Sequence, residues 1–444
     1  MTTIVRALLA LAVVFAFATQ ARAQGALKPG DVLTQSNWKA AEGLLPPEIL
    51  KHYERGEYVN TPIADWPDGI FKFDPEFLAA TESNAGKYKI DANGTVVDAA
   101  TGQQPPIILG FPFPNVDPGD PTAATQVLWN YVYGGYYILG SIHSTVELNW
   151  IKPTGLDRKT TQDVNFLYYD GQPDRYRKPN AQNFSMQFLT TAMTPTDLNG
   201  TTALTWRYRD PTKRDSNWVY VPALRRVRAV SPANRSDGFL GSDMSQDDGP
   251  FFDGKPEDFN WKLVGEREQL RLVDPLSLAG KSNIIWLPNG GWRAKWPKDV
   301  ITFGYEDPKF KGSGWAPVAP VLAKRKFWVI EATPKDKYYL YGRIELYIDK
   351  ETYEGAWNRK FSWSGELLNT LQVMTFLRHK YTRPDGINEY LQGSNMGYRV
   401  AENVKMNRAT TAGTLAPLKD PASDTRIPMN PSFFDMNTLS RFGK

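Results

Sequence analysis

Three histidines, His52, His143 and His379, lie too far apart for an H-x-H or H-E-x-x-H pair, the spacing that sets two imidazoles around one zinc ion. Cysteine is absent, which removes thiolate ligands, cysteine nucleophiles and disulfides together. There is no G-x-S-x-G elbow, P-loop or G-x-G-x-x-G, and YVYGGYYILG has paired glycines without the rest of such a motif. A glycosidase needs two carboxylates across one bond. Asp247 with Asp248 and Glu351 with Glu354 are neighbours, but among 48 acidic residues such neighbours arise by chance. SDMSQDDGPFFDG carries Asp243, Asp247, Asp248 and Asp253 without the alternating spacing of an EF-hand, and reads first as a solvated loop, with a calcium loop as the alternative that stays open. A non-enzymatic protein without metal or cofactor is expected.

The charge pattern with most to say is WVYVPALRRVRAVSPANRSDGFLGSD, from Trp218 to Asp243. Its first part is strand-like, and Pro222 cannot donate to a ladder, so it marks an edge or a bulge. Beyond it the alternation puts Leu224, Arg226 and Arg228 on one side. Two arginines side by side need counter-charges, and Asp237 and Asp243 are the suppliers a loop away. Two readings stay open: an Arg/Asp network that pins the following loop to the sheet, or a site for an anionic head group at the rim of a cavity.

The elements that position these residues begin after an export signal. Arg6 precedes an apolar run from Ala7 to Ala18, and Ala21-Arg22-Ala23 offers a cleavage pattern before Gln24. That run is shorter than the roughly 20 residues a membrane span needs. Without Arg6 and Arg22 the formal charge falls from +4 to +2, too even to support nucleic-acid binding. A periplasmic, unanchored product is expected. Residues 24–143 read as a helical, loop-rich segment: two short helices split by Pro46-Pro47, a hairpin with a two-residue Asn93-Gly94 turn, and a buried helix from Pro121 that Gly134-Gly135 ends. Residues 144–410 read as a β domain. It opens with consecutive period-two runs, passes through an irregular stretch from Ser231 to Pro320 with a helix at DPLSLAG, and resumes at KFWVIEATP. Residues 411–444 read as a peripheral tail.

Many meandering antiparallel strands and few helices bury their apolar surface by curling the sheet around the helices, which leaves a hollow where side chains do not fill it. The strand ending in YVPALRRVR, followed by RSDGFLGSD, resembles the signature of LolA/LolB-like periplasmic proteins. LYGRIELYIDKETYEGAWNRKFSWSGE is similar to a longer subgroup catalogued as domain of unknown function 1329. The likeness is densest from Asn165 to Asp248 and from Lys326 to Met374. It departs at Gln246 and Gly249, where the shorter relatives carry an aromatic and an aliphatic residue.

The resemblance implies a mainly β, α+β fold: a strongly curled antiparallel incomplete barrel closed by helices, with an apolar cavity for acyl chains. It implies that Trp206, Tyr208, Trp218, Tyr220, Leu224, Trp328, Ile330, Ile344, Leu346 and Ile348 are sheet residues, those on the inner face lining the cavity. Arg226, Arg228 and Asp243 occupy its charged positions, with Asp237 beside them. It further implies a link to an inner-membrane efflux-type transporter and an outer-membrane protein. The expected function is carriage of a lipid or other hydrophobic molecule between the membranes. The alternatives are a ligand-free scaffold for a transporter complex and, third, a hydrolase acting on carbohydrate or lipid.

Overall fold

Pro46 and Pro47 cannot continue a preceding helix, and they divide the N-terminal segment as predicted. The computed structural model describes residues 26–67, 69–279, 284–294, 302–376, 381–382, 388–389, 398–413 and 423–442. The expected signal segment and His379 lie outside these. Strand β1 (Val32–Leu33) leads to a 3-10 turn at Trp38–Ala41 and helix α1 (Pro47–Glu54), with Pro47 in the first turn where no N–H is required. Strand β2 (Thr61–Ala64) and helix α2 (Pro75–Ser83) follow. β3 (Tyr88–Ile90) and β4 (Val96–Asp98) form the expected hairpin, though its loop is residues 92–94 rather than two residues. The Asp91 N–H donates to Thr95 O and Gly94 takes φ +90°, while Asp91 Oδ1 accepts from the N–H groups of Asn93 and Thr95.

Helix α3 (Ala123–Leu139) is buried on several sides, as its apolar composition requires, but Gly134-Gly135 does not end it; the chain leaves the helix at Gly140, with φ +55°. Gly134 serves close approach instead. A Cβ there would come within 3.0 Å of the Phe111 ring, and this packing outweighs the penalty of about 1 kcal/mol for a mid-helix glycine.

The period-two runs become strands β5 (Ser141–Lys152), β6 (Gly155–Tyr168), β7 (Phe184–Thr194), β8 (Thr202–Tyr208), β9 (Ser216–Val221) and β10 (Arg226–Val230), each antiparallel to the next. The expected single strand with a reset at Pro222 is instead a tight hairpin. Pro222–Leu224 is a 3-10 turn and Arg225 takes φ +48°, so Val221 faces Arg226 and Val219 faces Arg228. Leu224 stands in that turn, 50% exposed. The stretch read as irregular contains β11 (Phe259–Val273), 15 residues long, before the expected helix at α4 (Pro275–Leu278), which Asp274 caps by accepting from Ser277 N–H. β12 (Ile284–Trp286), β13 (Trp292–Ala294), β14 (Val321–Pro334), β15 (Arg343–Asp349), β16 (Gly355–Phe361) and β17 (Leu367–Val373) come next. β18 (Tyr381–Thr382) pairs with β19 (Asn388–Glu389), and β20 (Tyr398–Asn403), β21 (Arg408–Gly413), β22 (Ser423–Thr425) and helix α5 (Met436–Phe442) complete the chain.

The result is a mainly β protein with a few helices. Its large sheet runs β10-β9-β8-β7-β6-β5-β21-β20-β17-β16-β15-β14-β11. β2 joins β14 in parallel, and β22 leads from β5 to β13 and β12. Among the described residues β10 and β11 share no pairing, so the sheet is not closed.

Opposed residues on paired strands point to the same side, which sorts the side chains onto two faces. On one, α3 sets Ala124, Val127 and Leu128 against Trp328, Ile330, Leu346 and Ile348. On the other, Ile49 and Tyr53 of α1 cover Val329, Tyr347, Trp357 and Val400. The tail covers the far end of that second face, with Phe434 and Leu439 against Leu167, Leu189, Leu204 and Tyr220. Phe434 is 0% exposed, and Phe434→Ala is expected to lower the unfolding free energy by about 3–5 kcal/mol in urea titration.

α1 is also tied by charge. His52 lies between Glu57 Oε2, 2.6 Å from Nδ1, and Glu402 Oε2, 2.8 Å from Nε2. Burial lowers the imidazole pKa, but the two carboxylates outweigh it and raise it above 6.5. A raised cation pKa gives stability that is full below the unfolded value and fades as pH rises through the folded one. His52→Gln should therefore lose stability at about pH 6 and flatten the decline towards about pH 9 seen by denaturant unfolding of the parent chain.

Candidate ligand cavity

The face that α3 covers over β14 and β15 continues across β5 to β9, and there its side chains are not fully covered. Ile142 pairs with Phe166, Phe166 with Phe188 and Phe188 with Thr205; one step along, Ser144 pairs with Val164, Val164 with Thr190 and Thr190 with Ala203. Val146, Val164, Phe166 and Phe188 stay only half-buried in the middle of this sheet face. They border a cavity of about 200 Å³ that is also lined by Leu139 of α3 and by Arg399 and Ala412. Its roof is the 235–253 segment, which contributes Phe239, Met244 and Pro250. The walls are mostly apolar.

What holds the roof is charge. Arg235 Nε meets Asp247 Oδ1 at 2.5 Å, its Nη2 meets Asp253 Oδ2 at 2.8 Å and its Nη1 meets Asp215 Oδ2 at 3.3 Å. Arg207, on the floor strand β8, meets the same Asp215 at 2.9 Å and Asp253 at 3.0 Å. Tyr339 donates its hydroxyl to Asp247 at 2.7 Å. Burial pushes Asp215 up, but Arg207 and Arg235 outweigh it and hold the carboxyl below the usual range; burial pushes Arg207 down, and Asp215 with Asp253 reverse that. The other two aspartates of the stretch read as a solvated loop are likewise paired. Asp243 meets Arg408 at 2.8 Å and Asp248 meets Lys360 at 2.6 Å. Each acid answers a cation of the chain, and among the described residues no group of three or more metal-ligating side chains is assembled.

The expected partners therefore change. Arg226 and Arg228 are exposed on the edge strand β10 and form no ion pair among the described residues; Asp237 is exposed and Asp243 is taken by Arg408. An exposed edge arginine gains little from a pair that a desolvated one needs. An Arg/Asp network does pin the loop, but through Arg207 and Arg235. Register still places Arg226 and Arg228 on the cavity face, because Val219, between Arg228 and Ala203, carries that face to the edge.

The expected lining residues separate by face. Trp206, Tyr208, Trp218 and Tyr220 belong to the opposite face beneath the tail, where Trp206 Nε1–H donates to Phe434 O at 2.8 Å. Trp328, Ile330, Ile344, Leu346 and Ile348 share the cavity face but are filled over by α3 and Phe251. None of the ten borders the 200 Å³ space. The carboxylate neighbours also have separate partners: Glu351 meets Arg325, and Glu354 lies 3.8 Å from Arg271. His143 meets Asp163 at 2.7 Å.

Removing one member of a buried ion cluster strands the rest. Arg235→Met should cost about 3–5 kcal/mol in denaturant unfolding. Because the folded pKa of Asp215 is depressed, its contribution is present above the unfolded carboxylate range and lost as pH falls through the folded value. The variant's stability should accordingly depend less on pH in acid.

A family profile described as Protein of unknown function (DUF1329) matches residues 32–417. An uncharacterized protein of Pseudomonas aeruginosa is 22% identical over 252 residues, covering 53% of this chain and 48% of that protein, so the chain spans about half the length of this curated relative. Among solved structures, an outer membrane lipoprotein-sorting protein domain from Vibrio parahaemolyticus has a TM-score of 0.45 at 17% identity, over 72% of this chain and 100% of that one. A DUF1329 family protein from Desulfovibrio piger has a TM-score of 0.42 at 15% identity, over 70% and 98%. A LolA superfamily protein from Nitrosomonas europaea has 0.39 at 12%, over 71% and 98%. With its profile matched from residue 32 to residue 417, the chain belongs to the DUF1329 family.

Proposed function

We propose that this protein is a periplasmic carrier without enzymatic activity, which holds the apolar part of a lipid or other hydrophobic molecule under the 235–253 roof and takes part in its transport between the inner and outer membranes. The observation that carries the reading is the cavity. Apolar side chains left half-buried in the centre of a sheet face gain about 25 cal/mol for every Å² a ligand removes from water, so no reacting group is needed for retention. The export-type N-terminal sequence supports the compartment, and the sequence likeness to LolA/LolB-like proteins supports a hydrophobic cargo.

On this reading β5 to β10 curl over the cargo as an incomplete barrel, with α3 and the roof as closure. Lifting α3 extends the hollow onto Trp328, Ile330, Ile344, Leu346 and Ile348, which share its face. Arg226 and Arg228 form a cationic rim at the edge.

Native mass spectrometry with solvent extraction of protein purified from its own periplasm tests the reading. A defined co-purifying lipid supports it; bare polypeptide in every preparation rejects it in favour of a ligand-free scaffold. Ala203→Phe, which places a ring in the cavity, is expected to weaken binding by about tenfold or more, equal to about 1.4 kcal/mol, while thermal melting stays close to that of the parent.

A further inference from the structure

Arg399, on β20, is 9% exposed and borders the cavity beside its cross-strand partner Ala412. Burying a guanidinium without a counter-ion is costly, and other buried arginines of the chain avoid it. Arg207 and Arg235 share Asp215, Arg209 meets Asp170 at 2.8 Å and Arg271 meets Asp349 at 3.2 Å. Arg399 has no such partner among the described residues. Its Nη1 donates to the carbonyl oxygen of Gly249 in the roof, and its Nε has no hydrogen-bond partner among the described residues. The carboxylate whose charge reaches it, Asp248, is committed to Lys360 and to the Ser245 N–H at 2.7 Å. Burial accordingly pushes the Arg399 guanidinium down to about 10.

Arg399 lines the cavity with a guanidinium that has one hydrogen bond among the described residues. Nε and Nη2 lie along one side of a guanidinium and together grip two oxygens of a carboxylate or phosphate. Nη1, on the other side, is the group occupied by Gly249. The space beside it is apolar and holds about 200 Å³, below the roughly 300–1,000 Å³ of pockets that enclose a whole drug-sized ligand. A space of that size encloses part of one tail and has no room for two side by side.

Building on the carrier reading, we propose that the cargo is a single-tailed amphiphile with an oxoanion head, a carboxylate or a phosphate monoester. The head group meets the Arg399 guanidinium, and the tail lies between the β5–β8 floor and the roof. Isothermal titration of the purified, delipidated full chain with palmitate, hexadecyl phosphate and hexadecanol tests this. One or both anions should bind about tenfold to a hundredfold more tightly than the alcohol, and the tighter anion identifies the head. Arg399→Met should erase that preference and leave hexadecanol binding in place. Arg399→Lys, which keeps the charge without the fork, should fall between. Equal binding of all three ligands by the parent chain overturns the anionic head and leaves the carrier reading standing. Failure of all three to bind overturns both, and neither outcome depends on a variant folding.

Discussion

An apolar hollow beside a β-sheet closes up unless its roof is held at a set height by something other than contact with the floor, because protein interiors otherwise pack to crystal-like density. Here that something is the buried cluster of Arg207, Arg235, Asp215, Asp247 and Asp253. One arginine rises from the floor strand and the other belongs to the roof, and they share two aspartates. The pairs are desolvated, so their geometry is strict in a way that van der Waals contact is not. The same sheet face is filled over β14 and β15, where α3 supplies Val127 and Leu128, and left unfilled over β6 and β7, where the charge cluster takes over as the spacer.

The strands were legible wherever one face met water or an alternating neighbour, and β5 to β9 follow the period-two runs closely. β11 escaped notice because Lys262, Glu266, Arg267 and Glu268 break its apolar rhythm; its partner β14, not its own composition, makes it a strand. α3 outran its paired glycines for a related reason, since the Phe111 ring that rewards Gly134 comes from another part of the chain.

For the site, alternation reveals two faces but not which elements cover each. The conspicuous aromatics Trp206 and Trp218 pack under a tail more than two hundred residues away, whereas the small neighbours Ala203 and Thr205 border the cavity. The arginine cluster at residues 225–228 stood out by density, yet the arginines that organise the roof are single ones. Arg207 sits on the Ala203 side of its strand, and Arg235 begins the RSD of the family-like motif. Both signals were present as parity and as motif. Arg399 had neither, and its lack of a counter-charge among the described residues shows only in three dimensions.

The open end of the sheet has a consequence of its own. An unpaired terminal strand invites another chain to add beside it, and β10 answers with arginines at both ends of its Arg226-Val227-Arg228 stretch, exposed to water. A second molecule approaching edge to edge would bring like charges together before any ladder could form. Arg226 and Arg228, which form no ion pair among the described residues, thus oppose such an approach by their charge.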